Sequence, residues 1–214
     1  SFDNNLIAYL LIATVLLCFF LPMLTEDQFP FFRDAFNYYY FFVQFLNKSI
    51  QQGEYPFWNP HLYTGIAQWQ LPDPNVIYPF NLLFLILPFH KAISWIIVIH
   101  HIIAAFGMFQ WLKHHKFTNE INILFSLVFS LSGYMLSLHN NHGFMLACAW
   151  FPWCMVAFDS LLEQPCLKHV THLAAFGGIH LLCGRPDITY YFFIYVFVYF
   201  LFYLSLHRKN WGKL

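Results

Sequence analysis

The stretch Ala92–Leu112, AISWIIVIHHIIAAFGMFQWL, decides the fold of this chain. It carries no Asp, Glu, Lys or Arg over a length that matches a bilayer, because about 20 apolar residues rising roughly 1.5 Å each cross a hydrocarbon core of roughly 30 Å. The same test selects Leu6–Leu24, Ile121–Leu138, Phe144–Leu162, the shorter Val170–Cys183 and Ile188–Leu206. An all-α polytopic membrane protein with about six transmembrane helices is therefore expected. No basic region precedes the first span and no small-x-small site follows it, so a signal peptide is a poor account of it.

Composition agrees. Of the 214 residues 59% are hydrophobic and only 9% charged, against about 25% charged in an ordinary soluble domain, and the mean hydropathy is +0.53. With formal net charge zero there is no basic field to hold nucleic acid. Cys18, Cys148, Cys154, Cys166 and Cys183 are scattered, mostly in apolar runs, and read as small buried hydrophobes rather than as disulfide or metal pairs. The chain starts at Ser1 without Met and stops in RKNWGKL after a hydrophobic span, which suits a piece of something longer. Residues 1–214 read as a single transmembrane domain.

Orientation follows from the basic residues of the short loops. With the amino end in the cytoplasm, inward loops carry Lys113, Lys116, Lys168, Arg208, Lys209 and Lys213, and outward short loops carry only Arg185. The long segment 25–90 then lies outside. From Asp34 its polar residues Asp34, Asn37, Gln44, Lys48 and Gln51 recur at helical spacing among Phe, Tyr and Leu, which predicts an interfacial helix ended by Gly53. The next stretch, GEYPFWNPHLYTG, is rich in turn residues, and VIYPFNLLFLILPFH is too short to span and reads as a re-entrant or half-helix.

Polar residues gather on that outer level: Asp34, the WNP of Trp58–Pro60, Gln68, Gln70, Asp73, Asn75, the HNNHG of His139–Gly143 and the GRPD of Gly184–Asp187. Convergence of carboxylates, amides, imidazoles and one guanidinium suits a site, while loops in water are polar without any site. Asp34 reads equally as a helix cap. Arg185 reads as a phosphate ligand or as a turn with a local pair to Asp187. His139 and His142, at i and i+3, would need a third ligand that spacing does not supply. His100, His101, His172 and His180 lie inside spans, where packing explains them better than haem does. Trp58, Trp69, Trp150, Trp153 and Tyr38–Tyr40 mark depth in an aromatic belt.

Five blocks in order, RDAFNYYYFFVQFLNKSIQQGEYPFWNPHLYTG, YPFNLLFLILP, FSLSGYMLSLHNN, HGFMLACAWFPW and GRPDITYY, together resemble the amino-terminal half of the bacterial YfhO-like membrane protein family. That family is similar to the GT-C glycosyltransferases, which take a sugar from a polyprenyl-phosphate donor on the outer face of the membrane. The resemblance implies a multi-pass protein of the bacterial inner membrane that transfers a sugar to a cell-envelope acceptor. It implies Asp34 as the catalytic carboxylate with Asp27 as second choice, and Arg185, Trp58, Asn59, His142, Asp73 and Asp187 as substrate-binding groups. It leaves a divalent metal open and names no other cofactor. Two departures stand out: Arg185 takes the place of the family's usual His, and 214 residues hold fewer helices than such enzymes usually carry. The second departure suits the alternative of a non-catalytic subunit or assembly factor partnered by other membrane chains.

Overall fold

The computed structural model describes residues 2–25, 39–62, 64–68 and 77–206. Among these the chain is nearly all helix. In order come α1 (Phe2–Phe19), α2 (Leu21–Thr25), α3 (Tyr40–Gln51), a minimal hairpin of β1 (Trp58–Asn59) and β2 (Ile66–Ala67), a 3-10 turn at Pro79–Leu82 and α4 (Leu83–Ile86). The helical bundle continues with α5 (Phe89–His114), α6 (Asn119–Ser130), α7 (Gly133–Ser137), a 3-10 turn at Leu138–Asn140, α8 (His142–Glu163), α9 (Leu167–Leu182) and α10 (Pro186–Leu206).

All six segments expected to be spans are helical. Among the described residues four stretches are long and apolar enough to cross a membrane: Phe89–His114, Asn119–Asn140, His142–Glu163 and Pro186–Leu206. The first segment gives a shorter apolar helix, Asn5–Phe19 within α1, and the fifth falls in α9, which has 16 residues.

Side-chain pairs fix the helix directions. Trp153 donates to the Ile103 carbonyl at 2.9 Å and Trp111 to Asp159 at 2.8 Å, so α5 and α8 run parallel. Tyr9 packs on Phe106 and Phe109 while Phe20 packs on His101, so α1 runs against α5. His180 reaches Ala147 while Phe176 stacks near Trp150 and Trp153, so α9 runs against α8. Phe192 meets Phe151 and Tyr203 reaches the Leu162 carbonyl, so α10 returns parallel to α8. The core centres on α5, against which α1, α6 and α8 pack: Ile12, Leu16, Ile93, Ile97, Ala104 and Met145 are fully buried there.

Close approach of α5 and α8 depends on Gly107. A methyl group there would sit 2.7 Å from the Trp153 indole and 3.2 Å from Pro152. Between lipid-embedded helices, where apolar burial gives little drive, such small residues let packing and interhelical hydrogen bonds form.

A helix runs over Tyr40–Gln51, burying Phe42, Val43, Leu46 and Ser49 on one side, while the expected start of the interfacial helix at Asp34 lies outside the described residues. Its end has the expected cause. Gly53 takes φ +75°, its N–H bonds the Ile50 carbonyl at 2.9 Å, and the Glu54 N–H bonds that of Ser49 at 2.9 Å. That pair of bonds is the Schellman arrangement, for which a residue without Cβ is favoured.

The hairpin after α3 depends on another glycine. Gly65 has φ +115°, and a Cβ on it would lie 2.4 Å from the Trp58 ring. Gly65→Ala is expected to cost about 2 kcal/mol locally, since it combines left-handed strain with a clash. Chymotrypsin cleavage at Phe57, Trp58 and Leu62 should rise in that variant; unchanged cleavage would mean that the hairpin does not hold this loop.

Candidate functional site

The segment ahead of α5 enters the bundle at the block YPFN. Pro79 fixes the start of the 3-10 turn and Tyr78, extended at ψ 122°, drops its ring between α5 and α8. There the Trp150 indole N–H donates to the Tyr78 hydroxyl at 2.9 Å, the Tyr78 hydroxyl donates to His100 Nε2, and His100 Nδ1–H donates to the Ile96 carbonyl at 2.6 Å. The order of donors is forced, because an indole N–H only donates and a carbonyl only accepts. Burial pushes the Tyr78 phenol well up from its ordinary value, so it stays protonated and able to donate.

A second chain of donors lies beside the first. Ser130 gives its only hydroxyl proton to the His101 carbonyl at 2.9 Å, so its oxygen accepts from His101 Nδ1–H at 3.3 Å. The remaining nitrogen, His101 Nε2, is then an acceptor, and His139 Nε2–H supplies it at 2.8 Å. His100 and His101 are thus packing residues of the helix interior. Among the described residues no three His, Cys, Asp or Glu side chains gather to hold a metal ion.

Three of the segments expected on the outer face include or touch the first turn of α8, on different faces of it. Tyr39 stacks on His142 with centroids 5.1 Å apart and planes at 27°, and Tyr39 also reaches Asn81 at 3.4 Å. The Arg185 guanidinium lies over the Phe144 ring at 3.7 Å, a cation–π contact, with its Nε 3.9 Å from Asp187. His142 is 2% exposed, and among the described residues neither ring nitrogen has a hydrogen-bond partner. A buried imidazole without partners loses about 1–3 kcal/mol of desolvation unless something binds it. Compared with known proteins, the chain matches no family model, no curated protein and no solved structure.

Of the site residues read from sequence, His142, Arg185 and Asp187 therefore fall near the start of α8 and α10. Asn59 is occupied within its own hairpin: its Oδ1 accepts from the His61 N–H and its Nδ2 donates to Gln68 Oε1, both at 3.0 Å. Trp58 covers Gly65 with one face and is 58% exposed. Asp27, Asp34 and Asp73 lie outside the described residues, as do Asn37, Trp69, Gln70 and Asn75.

Sequence reading passed over a polar cluster at the opposite end of the bundle. Asp159, 4% exposed on α8, accepts from the Trp111 indole at 2.8 Å and lies 3.2 Å from His115, and the Tyr199 hydroxyl of α10 bonds the same carboxylate. His114 and Glu163 approach to 3.2 Å next to it. The signal was present, since Asp159 is the single acid in an otherwise apolar span, and such a residue normally has partners. Here those partners tie α5, α8 and α10 together. Asp159→Ala leaves an indole N–H and a phenol without their acceptor, so a loss of about 3 kcal/mol is expected. A melting temperature in detergent within about 1 °C of wild type would show that the cluster ties nothing.

Proposed function

We propose that this chain is a GT-C-like membrane glycosyltransferase, or the amino-terminal half of one, working in the bacterial inner membrane with its site facing outward. In this reading α1 and α9 also cross the bilayer, giving six spans, and α3 lies in the outer interface within the extracytoplasmic segment 25–90. The donor is a polyprenyl-phosphate-linked sugar that enters from the lipid, and the acceptor is a cell-envelope hydroxyl. The observation that carries the reading is the first turn of α8, where Tyr39 stacks on a buried His142 without hydrogen-bond partners and Arg185 lies over Phe144 on another face of the same turn. An arginine in aromatic surroundings is suited to phosphate, and an imidazole with open donor and acceptor positions is suited to sugar hydroxyls.

In the proposed reaction Asp34 takes the acceptor proton as the acceptor oxygen bonds the anomeric carbon. The bond from that carbon to the phosphate oxygen breaks, its electron pair stays on the phosphate, and Arg185 offsets the added charge. One displacement inverts the configuration. Trp58 offers its open face to a sugar ring, and Asp73 and Asp187 are the further substrate-binding groups of this reading.

A non-catalytic subunit of a larger membrane complex is the second reading. It is favoured by how fully Tyr78, His100, Trp150, His101 and Asn59 are occupied by neighbouring side chains or by backbone, which is how a scaffold treats its polar groups. One experiment separates the two. Protein purified alone into nanodiscs is given polyprenyl-phosphate hexose and a hydroxyl acceptor, and release of polyprenyl phosphate is followed. Turnover removes the subunit reading; no turnover by a folded protein that co-purifies with fixed partners removes the enzyme reading.

A further inference from the structure

The α9–α10 side of the bundle holds a groove of about 520 Å³, within the roughly 300–1,000 Å³ range of small-molecule sites. Its floor is open because Gly177 and Gly178 sit side by side there, and a Cβ on either would meet nothing within 4 Å. Leu173, Leu181, Phe193 and Val196 form much of the wall, and among the described residues no Lys, Arg, Asp or Glu lines it. An ionised head group would have no counter-charge in such a place.

Two polar residues reach the lining, Thr189 and His180. Thr189 donates its hydroxyl to the Arg185 carbonyl at 3.1 Å, so its proton is committed. His180 is different. Its Nδ1 lies 3.1 Å from the Ala147 carbonyl, an acceptor, so Nδ1 carries the proton and Nε2 of the neutral ring presents a lone pair. The residue is 1% exposed and among the described residues Nε2 has no hydrogen-bond partner. His180 and Phe192 also line a neighbouring apolar cavity of about 210 Å³, so together they form the wall between the two spaces.

We propose that this groove binds an uncharged long-chain lipid whose hydroxyl group donates to His180 Nε2. The hydrocarbon lies over Gly177 and Gly178, and the hydroxyl ends at the His180–Phe192 wall. Ligands that offer only carbonyl or ether oxygens are refused, because they set an acceptor against an acceptor. The site stands on the α9–α10 geometry and is independent of sugar transfer.

The test uses the whole chain in nanodiscs with three photoreactive probes of equal chain length, each carrying a diazirine: a long-chain alcohol, its methyl ether and the corresponding carboxylic acid. Mass spectrometry of α9 and α10 peptides gives the labelling. The alcohol should label these peptides about tenfold more than the ether, as expected for one buried hydrogen bond, and the acid should label them no better than the ether. His180→Phe keeps the ring volume and should bring the alcohol down to the ether's level. Gly178→Leu fills open space, should leave the melting temperature unchanged and should remove labelling by every probe. Equal labelling by alcohol and ether in wild-type protein would mean general bilayer contact only and would overturn the proposal. So would Gly178→Leu protein that labels like wild type, or preferential labelling by the acid.

Discussion

Asp34→Asn protein is expected to purify with wild-type yield and melting temperature and to lose at least about 100-fold in sugar transfer. The substitution replaces one carboxylate oxygen by an amide nitrogen of nearly the same size, so shape is kept while the ability to take a proton is lost. General-base assistance is worth about 10²–10⁴ in rate, which sets the scale of the loss. Asp27→Asn, made in parallel, should fall much less, because it is the second choice for the role. A folded Asp34→Asn protein that transfers sugar at the full rate would end the assignment, and full loss in Asp27→Asn alone would move the role there.

Tyr78→Leu should have the largest effect on stability. The side chain is 1% exposed and its hydroxyl both receives the Trp150 N–H and donates to His100. Leucine leaves an indole donor and an imidazole acceptor bare in the interior, each at about 1–3 kcal/mol, and adds a void where the ring was. A total of about 4 kcal/mol is expected. Tyr78→Phe, which keeps the ring, isolates the hydroxyl's share at about half of that. Melting in detergent reads both, and limited proteolysis of 77–88 reports whether the segment has come out of the bundle. If Tyr78→Leu melts with wild type, the ring is not what seats this segment.

The helices could be read from sequence because the criterion for a span is local: a long run without charge is visible wherever it occurs. Gly53 was legible for a similar reason, since a helix end is decided within about five residues. The expectation that His100 and His101 serve packing was available from their place inside a span, but their partners were not. Tyr78 lies 72 residues from Trp150, and nothing in the spacing of YPFN announces which helices it will meet. The same limit explains Asn59, which looked available for a sugar and is held by Gln68 nine residues away. Asp159 was missed differently, by looking for chemistry only at the level where polar residues were plentiful.

The seating of Tyr78 also sets an order of assembly. Trp150 belongs to α8, which a ribosome delivers well after the segment carrying Tyr78 has emerged. Until α8 is inserted, Tyr78 has at most half of its binding place, so the YPFN turn must wait unlocked while α5, α6 and α7 are threaded. A nascent chain arrested before Trp150 would expose this turn to protease, and one arrested after Glu163 had inserted would protect it. The latch between the Tyr78 turn and the bundle therefore closes late, and its closing reports that α5 to α8 are all in place.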